Sequence, residues 1–178
     1  MKNNFLNMRY LQYLLMAMLL VSCGYKPSSH YIKNVFTDAV YVEVMVDGAE
    51  PENAPFVKDE MNRLIYTRFK GKVISKELSS TQILITYAGS SFIPLAYKDG
   101  YITRYRAQIN TKFDMTTKQG REQKIISAVF ESDIHASSLT SSTLRTEAIR
   151  NGLAKALDEF LAYVSAKGML EEEKRAQP

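Results

Sequence analysis

The sequence predicts an α+β fold, a two-layer sandwich in which a sheet of about four strands carries two helices on one face. Several segments alternate apolar and polar residues with a period of two, which is typical of strands. Two others carry apolar residues at three-and-four spacing, which is typical of amphipathic helices. Their order along the chain is β-α-β-β-β-α, with no internal repeat and no sign of a second domain.

The first predicted strand covers residues 40–46, a β-branched alternating run that ends at an Asp-Gly pair. A helix then follows, because Asn53 suits an N-cap, Pro55 suits the first turn and Gly71 suits the C-terminal end. Its apolar positions are Phe56, Val57, Met61, Leu64, Ile65 and Phe69.

A second strand is predicted over residues 81–88. Residues 89–100 are expected to form a loop that contains Pro94 and a turn at Lys98-Asp99-Gly100. Glycine and proline within this stretch are the local signals that favour a loop over a continued strand.

The longest regular pattern is residues 101–115, where every second residue is mostly apolar and the others are almost all polar. At about 3.3 Å per residue, a strand of this length reaches roughly 50 Å. A hairpin turn within 116–121 and a returning strand over 122–135 follow. The last helix is predicted over 144–166, ending at Gly168.

The N-terminus has the order of a bacterial lipoprotein signal. Lys2 and Arg9 provide positive charge, and residues 11–21 form an apolar run in which Gln12 is the only strongly polar member. The small Ser22 then precedes Cys23, the single cysteine of the chain. The apolar run is about half the roughly 20 residues that a transmembrane helix needs. The alternative is an ordinary cleaved secretory signal followed by an incidental cysteine.

These features predict four segments. Residues 1–22 are a lipoprotein signal peptide, 23–38 a lipid-anchored tether, 39–168 the α+β domain, and 169–178 a disordered charged tail. Cys23 would carry covalent lipid, and stable anchoring needs more than one acyl chain, as a triacylated cysteine provides. Gly24, rather than an acidic residue, favours the outer membrane, so we expect a lipid-anchored protein on its periplasmic side.

Size and charge exclude some classes of function. Removal of the signal leaves 156 residues, which suits one domain. The formal net charge of +4 falls to about +2, because Lys2 and Arg9 are removed with the signal. So mild a charge does not favour nucleic-acid binding, which needs a denser basic face.

The chain carries no recognisable catalytic or metal-binding pattern. Asp133 and His135 would lie on one face of a strand, as in half of a catalytic triad, but no G-x-S-x-G nucleophile accompanies them and a surface hydrogen bond is the better interpretation. His30 lies in the tether, and no Cys/His cluster has metal spacing. We therefore expect a non-enzymatic protein with no metal and no cofactor beyond the lipid on Cys23.

Basic residues concentrate around the long hairpin and are the candidate ligand contacts. The set is Lys98, Arg104, Arg106, Lys112, Lys118, Arg121 and Lys124. From charge position alone, Arg104, Arg106, Lys112 and Lys118 are the residues predicted to bind an anionic, phosphate-bearing glycolipid, with Tyr97, Tyr101 and Tyr105 against its sugar or acyl surface. The competing interpretation is a solvated sheet face whose lysines protect a sheet edge.

Residues 20–27, with the sequence LVSCGYKP, resemble the start of the mature chain in the LPS-assembly lipoprotein LptE family, which often begins Cys-Gly-aromatic-basic. The order of the elements and the final helix over 144–166 support the resemblance, which covers most of the mature chain.

The resemblance implies a role at the outer membrane. A protein of this family sits as a plug inside the LptD β-barrel, and the two pass lipopolysaccharide to the outer leaflet; the family protein also binds lipopolysaccharide through basic groups. A polar sheet face would suit the wet interior of a large barrel. Two other hypotheses stay open: an accessory or pilot lipoprotein of another envelope assembly or secretion machine, and a lipid-anchored enzyme.

Overall fold

The computed structural model describes residues 28–36, 39–46, 48, 51–69, 73–134 and 141–177. In chain order the helices and strands are α1 (Ser28–Val35), β1 (Val40–Val46), α2 (Ala54–Phe69), β2 (Thr81–Lys98), β3 (Tyr101–Thr117), β4 (Gly120–Asp133) and α3 (Ser141–Ala176). Short 3-10 turns lie at Pro51–Asn53 and Lys76–Leu78. The predicted signal peptide and Cys23 lie outside the described residues.

The strands form one sheet in the order β1-β2-β3-β4. β1 is parallel to β2, and α2 provides the crossover connection that a parallel pair requires. The other two pairs are antiparallel hairpins. The predicted α+β class is confirmed, with the helices packed on one face of a four-stranded sheet.

The core lies between the sheet and the helices. Because side chains alternate along a strand, Ile109 and Phe113 of β3 point to the same buried face, where α3 lays Leu157 and Phe160 against them. The Phe113 and Phe160 rings stack with centroids 4.3 Å apart. The largest fully buried side chains are Tyr87, Phe113, Phe160, Met61, Ile83, Ile85, Ile109, Ile149, Leu153, Leu157, Val40 and Val57.

The prediction of a loop over 89–100 is wrong. β2 continues to Lys98 and pairs with β3 along its length, with register shifts where Gly89 has a φ of 103° and beside Pro94. Bulges of this kind let a strand absorb a glycine or a proline without ending. The turn was placed correctly: Asp99 and Gly100 both have positive φ, as a two-residue hairpin turn requires.

The C-terminal helix is longer than predicted. α3 runs through Gly168 to Ala176, so residues 169–176 are helical and not a disordered tail. Gly168 does not end the helix. A Cβ on Gly168 would lie 2.0 Å from the Tyr31 backbone oxygen, so glycine allows another segment to pass close to the helix.

That segment is α1, so the prediction of a tether over residues 23–38 is wrong for residues 28–36. An eight-residue helix has little stability alone and depends on packing. Asn34 Nδ2 donates to the Gly168 carbonyl (3.3 Å) and to Glu172 Oε2 (3.1 Å), and Val35 and Phe36 are buried in the core. Residues 28–36 are therefore docked on α3.

A Gly168→Ala substitution is expected to loosen α1, although alanine favours a helix interior by about 1 kcal/mol. The new methyl group meets the backbone of Tyr31, which cannot rotate away, and overpacking of this kind typically costs about 1–3 kcal/mol. Faster amide hydrogen exchange over 30–36 is the expected result. Gly48→Ala is the control, because no atom lies within 4 Å of its added Cβ. Unchanged exchange with raised stability would contradict the assignment.

β4 and α3 are joined by a polar cluster at Glu122, which accepts hydrogen bonds from Lys167 Nζ and Tyr163 Oη. The Lys167 hydrogen bond, followed by that of Tyr163, holds the pKa of Glu122 below its ordinary value of 4.5. The hydrogen bond between Tyr163 and Glu122 raises the pKa of Tyr163 to about 12. The cluster fixes α3 across the outermost strand.

This cluster predicts an acid-sensitive stability. Because the pKa of Glu122 is lower in the folded chain than in the unfolded one, its contribution is fully present above about pH 4.5 and is lost as the pH falls through the folded value. Between about pH 6 and about pH 3 the melting temperature of wild type should therefore fall further than that of Glu122→Gln. Glu52→Gln, on an exposed turn, should follow wild type; identical slopes for all three proteins would refute the role of Glu122.

Candidate functional site: an apolar cavity at the end of the long hairpin

The predicted basic residues on β3 are paired with acids on the open face of the sheet. Arg106 Nε donates to Glu131 Oε1 at 2.8 Å, and Arg104 lies 3.1 Å from Glu131 Oε2 and 3.7 Å from Asp133. Both arginines lower the pKa of Glu131, chiefly through the Arg106 hydrogen bond. Their positive charge is thus largely balanced by β4.

The four predicted ligand residues do not form one cluster. Lys112 is 3.1 Å from Asp114 in the middle of the sheet, and Lys118 lies in the β3–β4 turn, at the opposite end of β3 from Arg104. Lys118 lies fourteen positions after Arg104, which corresponds to about 45 Å along a strand. Any shared ligand would have to cover that length.

The structure instead brings apolar side chains together at the other end of the hairpin. A cavity of about 490 Å³ lies between the distal part of β2 and β3 and the start of α3. It is lined by Phe92, Pro94, Ile102, Tyr105, Ile134, Leu144 and Arg145. Sites for small molecules are typically about 300–1,000 Å³ and mostly apolar with a few polar groups, which fits this lining.

Strand register builds the cavity. Phe92 is opposite Ala107 in the β2–β3 ladder, and its ring lies 5.9 Å from that of Tyr105. Tyr105 and Ala107 are buried with Ala148 of α3 in a second apolar cluster beside the main core. Tyr105 Oη donates to the Leu144 carbonyl at 3.3 Å, which fixes the first turns of α3 over the hairpin.

Among the described residues that line the cavity, Arg145 is the charged one. Its guanidinium carbon lies 5.3 Å from the centre of the Phe92 ring, a cation–π distance. Arginine recognises phosphate and carboxylate groups through paired hydrogen bonds. An apolar cavity beside a guanidinium is chemically suited to an acyl chain attached to an anionic group.

The hairpin tip next to the cavity is also apolar and exposed. Tyr97 and Tyr101 are 64% and 78% exposed, and Ile93, Leu95 and Ile102 are exposed as well. Several exposed apolar side chains at one end of a hairpin commonly mark an interaction site. The cavity and the tip together form one apolar end of the molecule.

Sequence reasoning found part of this site. Tyr105 lines the cavity, whereas Tyr97 and Tyr101 lie at the exposed tip. Phe92 and Arg145 were missed. Phe92 lies in the stretch 89–100 that was predicted to be a loop, and nothing in the sequence distinguishes Arg145 from other charged residues of the predicted helix. The apolar run from Phe92 to Leu95 was the available signal, since a solvent loop seldom carries four such residues in succession.

The candidate catalytic pair is not assembled in the described residues. Asp133 contacts Arg104, and His135 lies outside them. Among the residues that the structure describes, no three His, Cys, Asp or Glu side chains lie close enough to hold a metal ion together. Within the same residues, no helix is both long and apolar enough to span a membrane.

No protein-family model matches the sequence, and no curated protein is significantly similar to it. Solved structures do resemble the fold. Rare lipoprotein B from Shewanella oneidensis is 13% identical, with a TM-score of 0.55 over 75% of this chain and 98% of that one. Lipoprotein B from Nitrosomonas europaea is 18% identical (72% and 82% covered, TM-score 0.46), and a minor lipoprotein from Acinetobacter baumannii is 10% identical (74% and 94%, 0.46). The Shewanella protein, with its TM-score above 0.5, shows that this chain has the fold of rare lipoprotein B.

Proposed function

We propose that this chain is an LptE-like lipoprotein of the outer membrane that is anchored through Cys23, binds lipopolysaccharide and lodges in an LptD-like β-barrel. The observation that carries the proposal is the fold shared with rare lipoprotein B, a protein of the LptE family, over nearly all of that protein. The lipoprotein signal at residues 1–22 is independent support from the sequence.

The apolar cavity supports lipopolysaccharide as the ligand. Lipopolysaccharide combines acyl chains with phosphate groups, and the cavity combines an apolar lining with the guanidinium of Arg145. Arg104 and Arg106 lie near the same end of the sheet, on its other face. With Lys112 and Lys118, which lie further along β3 and in its turn, they remain proposed contacts for phosphate groups, but only of a ligand that extends along the open face. The apolar cavity makes the acyl chains the primary point of recognition.

The position of α1 relative to the cavity is consistent with transfer of a lipid. α1 begins five residues after Cys23 in the sequence. Residues 33–36, at the end of α1 and just after it, lie beside the β3–β4 turn at 117–119. The cavity is at the other end of β3, a strand of 17 residues that spans roughly 50 Å. An anchored molecule would thus hold its apolar end away from the anchor.

The open face of the sheet supports a barrel partner. Its Arg104–Glu131 and Lys112–Asp114 pairs keep polar groups on a broad face that the helices do not cover. The lumen of a large outer-membrane barrel is polar and wet, so such a face can lie inside it with little desolvation.

Purification of the tagged full chain from its native envelope in mild detergent tests the proposal. The expected result is a large barrel of lipopolysaccharide transport together with bound lipopolysaccharide, and mass spectrometry showing acyl chains on Cys23. Cys23→Ala is the control and should lose the lipid. A secretion channel or another envelope machine in place of that barrel would support the accessory-lipoprotein alternative and contradict the proposal.

A further inference from the structure

β4 is the outermost strand of the sheet, and no strand among the described residues pairs with its outer edge. Its 14 residues pair with β3 without a register shift. The hairpin pair Thr117↔Gly120 and the bond from Ile134 N to Thr103 O direct the even-numbered backbone groups of β4 toward β3. The odd-numbered residues therefore present their N–H and C=O groups at the edge, as an antiparallel ladder requires.

The charges along β4 are self-complementary. If a second β4 pairs antiparallel with the first about Ser127, Arg121 lies opposite Asp133 of the other copy and Ile125 lies opposite Val129. Both pairs consist of odd-numbered residues, whose side chains lie on the open face, where Ile125 is 64% and Val129 37% exposed. Opposite charges and apolar pairs at facing positions stabilise a strand pair, whereas like charges there destabilise it.

We propose that β4 is a homodimerisation edge, through which two copies of this chain join their sheets in the antiparallel register centred on Ser127. The occupant of the edge is a second copy because the strand's own sequence provides both halves of each charged and apolar pair. Each pair occurs twice about the twofold axis, as an isologous interface demands. The inference does not depend on lipopolysaccharide binding.

Among the described residues, a contact of α3 with the outer edge of β4 must change for the dimer to form. Lys155 Nζ of α3 donates to the outward carbonyl of Val129 at 3.1 Å, and an incoming strand would replace this bond with a backbone N–H. The lysine side chain is exposed and can return to solvent at low cost. Because pairing doubles the width of the sheet, the dimer and a barrel-bound single copy would be alternative states of the chain.

Cysteine crosslinking of the full chain tests the register. In a hydrogen-bonded antiparallel pair the facing Cα atoms are about 5.5 Å apart, within disulfide range, so Ser127→Cys should give a disulfide-linked dimer on mild oxidation. Gln123→Cys is the matched control on the same edge and face. In this register its two copies are eight residues apart, about 26 Å, and cannot be joined. The wild-type protein is the background control, because it measures any crosslink through Cys23, the single native cysteine.

The expected result is a strong dimer band for Ser127→Cys and none above wild type for Gln123→Cys. Equal crosslinking of the two variants, or none for either, would overturn the proposal. Charge reversal provides a second test. Arg121→Asp added to Ser127→Cys should reduce the crosslink at least fivefold, and further addition of Asp133→Arg should restore it. An unchanged yield of the crosslinked dimer in these charge-reversal variants would exclude the proposed register.

Discussion

Replacement of Phe160 with alanine is expected to lower the free energy of unfolding by about 3–5 kcal/mol. The Phe160 side chain is 1% exposed, stacks on Phe113 of β3 at 4.3 Å and lies 6.4 Å from the ring of Phe36. It therefore joins α3, the centre of the sheet and the segment that follows α1. Truncation leaves a cavity at the junction of three elements that cannot all collapse into it.

Chemical denaturation followed by circular dichroism measures this loss. Tyr66→Ala is the control, because Tyr66 is a large aromatic residue on the exposed side of α2 and its truncation should change stability by less than about 0.5 kcal/mol. Comparable losses for the two variants would mean that the core is not centred on the Phe113–Phe160 stack.

Arg145→Glu is expected to weaken the binding of lipopolysaccharide at least tenfold. A hydrogen bond to a charged group contributes about 1.5–3 kcal/mol, which corresponds to roughly a 10- to 100-fold change in affinity. Reversal of the charge also repels the ligand's phosphates from the cavity mouth. Fluorescence anisotropy with labelled lipopolysaccharide measures the change.

Arg175→Glu provides the matched control, since it makes the same change of charge on the same helix at its opposite end. Its affinity should stay within about twofold of wild type. An equal loss for both variants would show that the net charge of the chain, and not the cavity, governs binding.

Local sequence patterns correctly predicted the strands in which apolar and polar side chains alternate regularly. The alternation over 101–115 identified β3, and the β-branched run over 40–46 identified β1. The distal half of β2 was missed because its pairing depends on a partner strand that local signals do not reveal, while Gly89 and Pro94 favour a loop locally. β2 extends to Lys98 because its backbone N–H and C=O groups form hydrogen bonds with those of β3.

The same limit applies to Gly168 and to the basic residues. A glycine near the end of a helical pattern usually ends it, but here it is needed for the approach of Tyr31, which is remote in sequence. The alternation of residues 101–115 correctly placed Arg104 and Arg106 on the polar face. That pattern could not show that Glu131 lies beside both of them, because cross-strand neighbours depend on the hairpin register.

The cavity could not be derived from the sequence for a related reason. It requires the bulged register that sets Phe92 opposite Ala107, and it requires the start of α3 to lie over both. Each of these depends on contacts between segments far apart in the chain, so no single motif encodes the site.

Site-specific photocrosslinking in living cells tests most directly the proposal that the apolar end of the molecule receives lipopolysaccharide. A photoreactive phenylalanine at Ile102, an exposed residue of the cavity lining, should capture lipopolysaccharide. The same group at Leu78, also exposed but in the turn before β2, should not. An adduct at 102 and none at 78 is the predicted result; no adduct at 102, or equal adducts at both positions, would contradict the account.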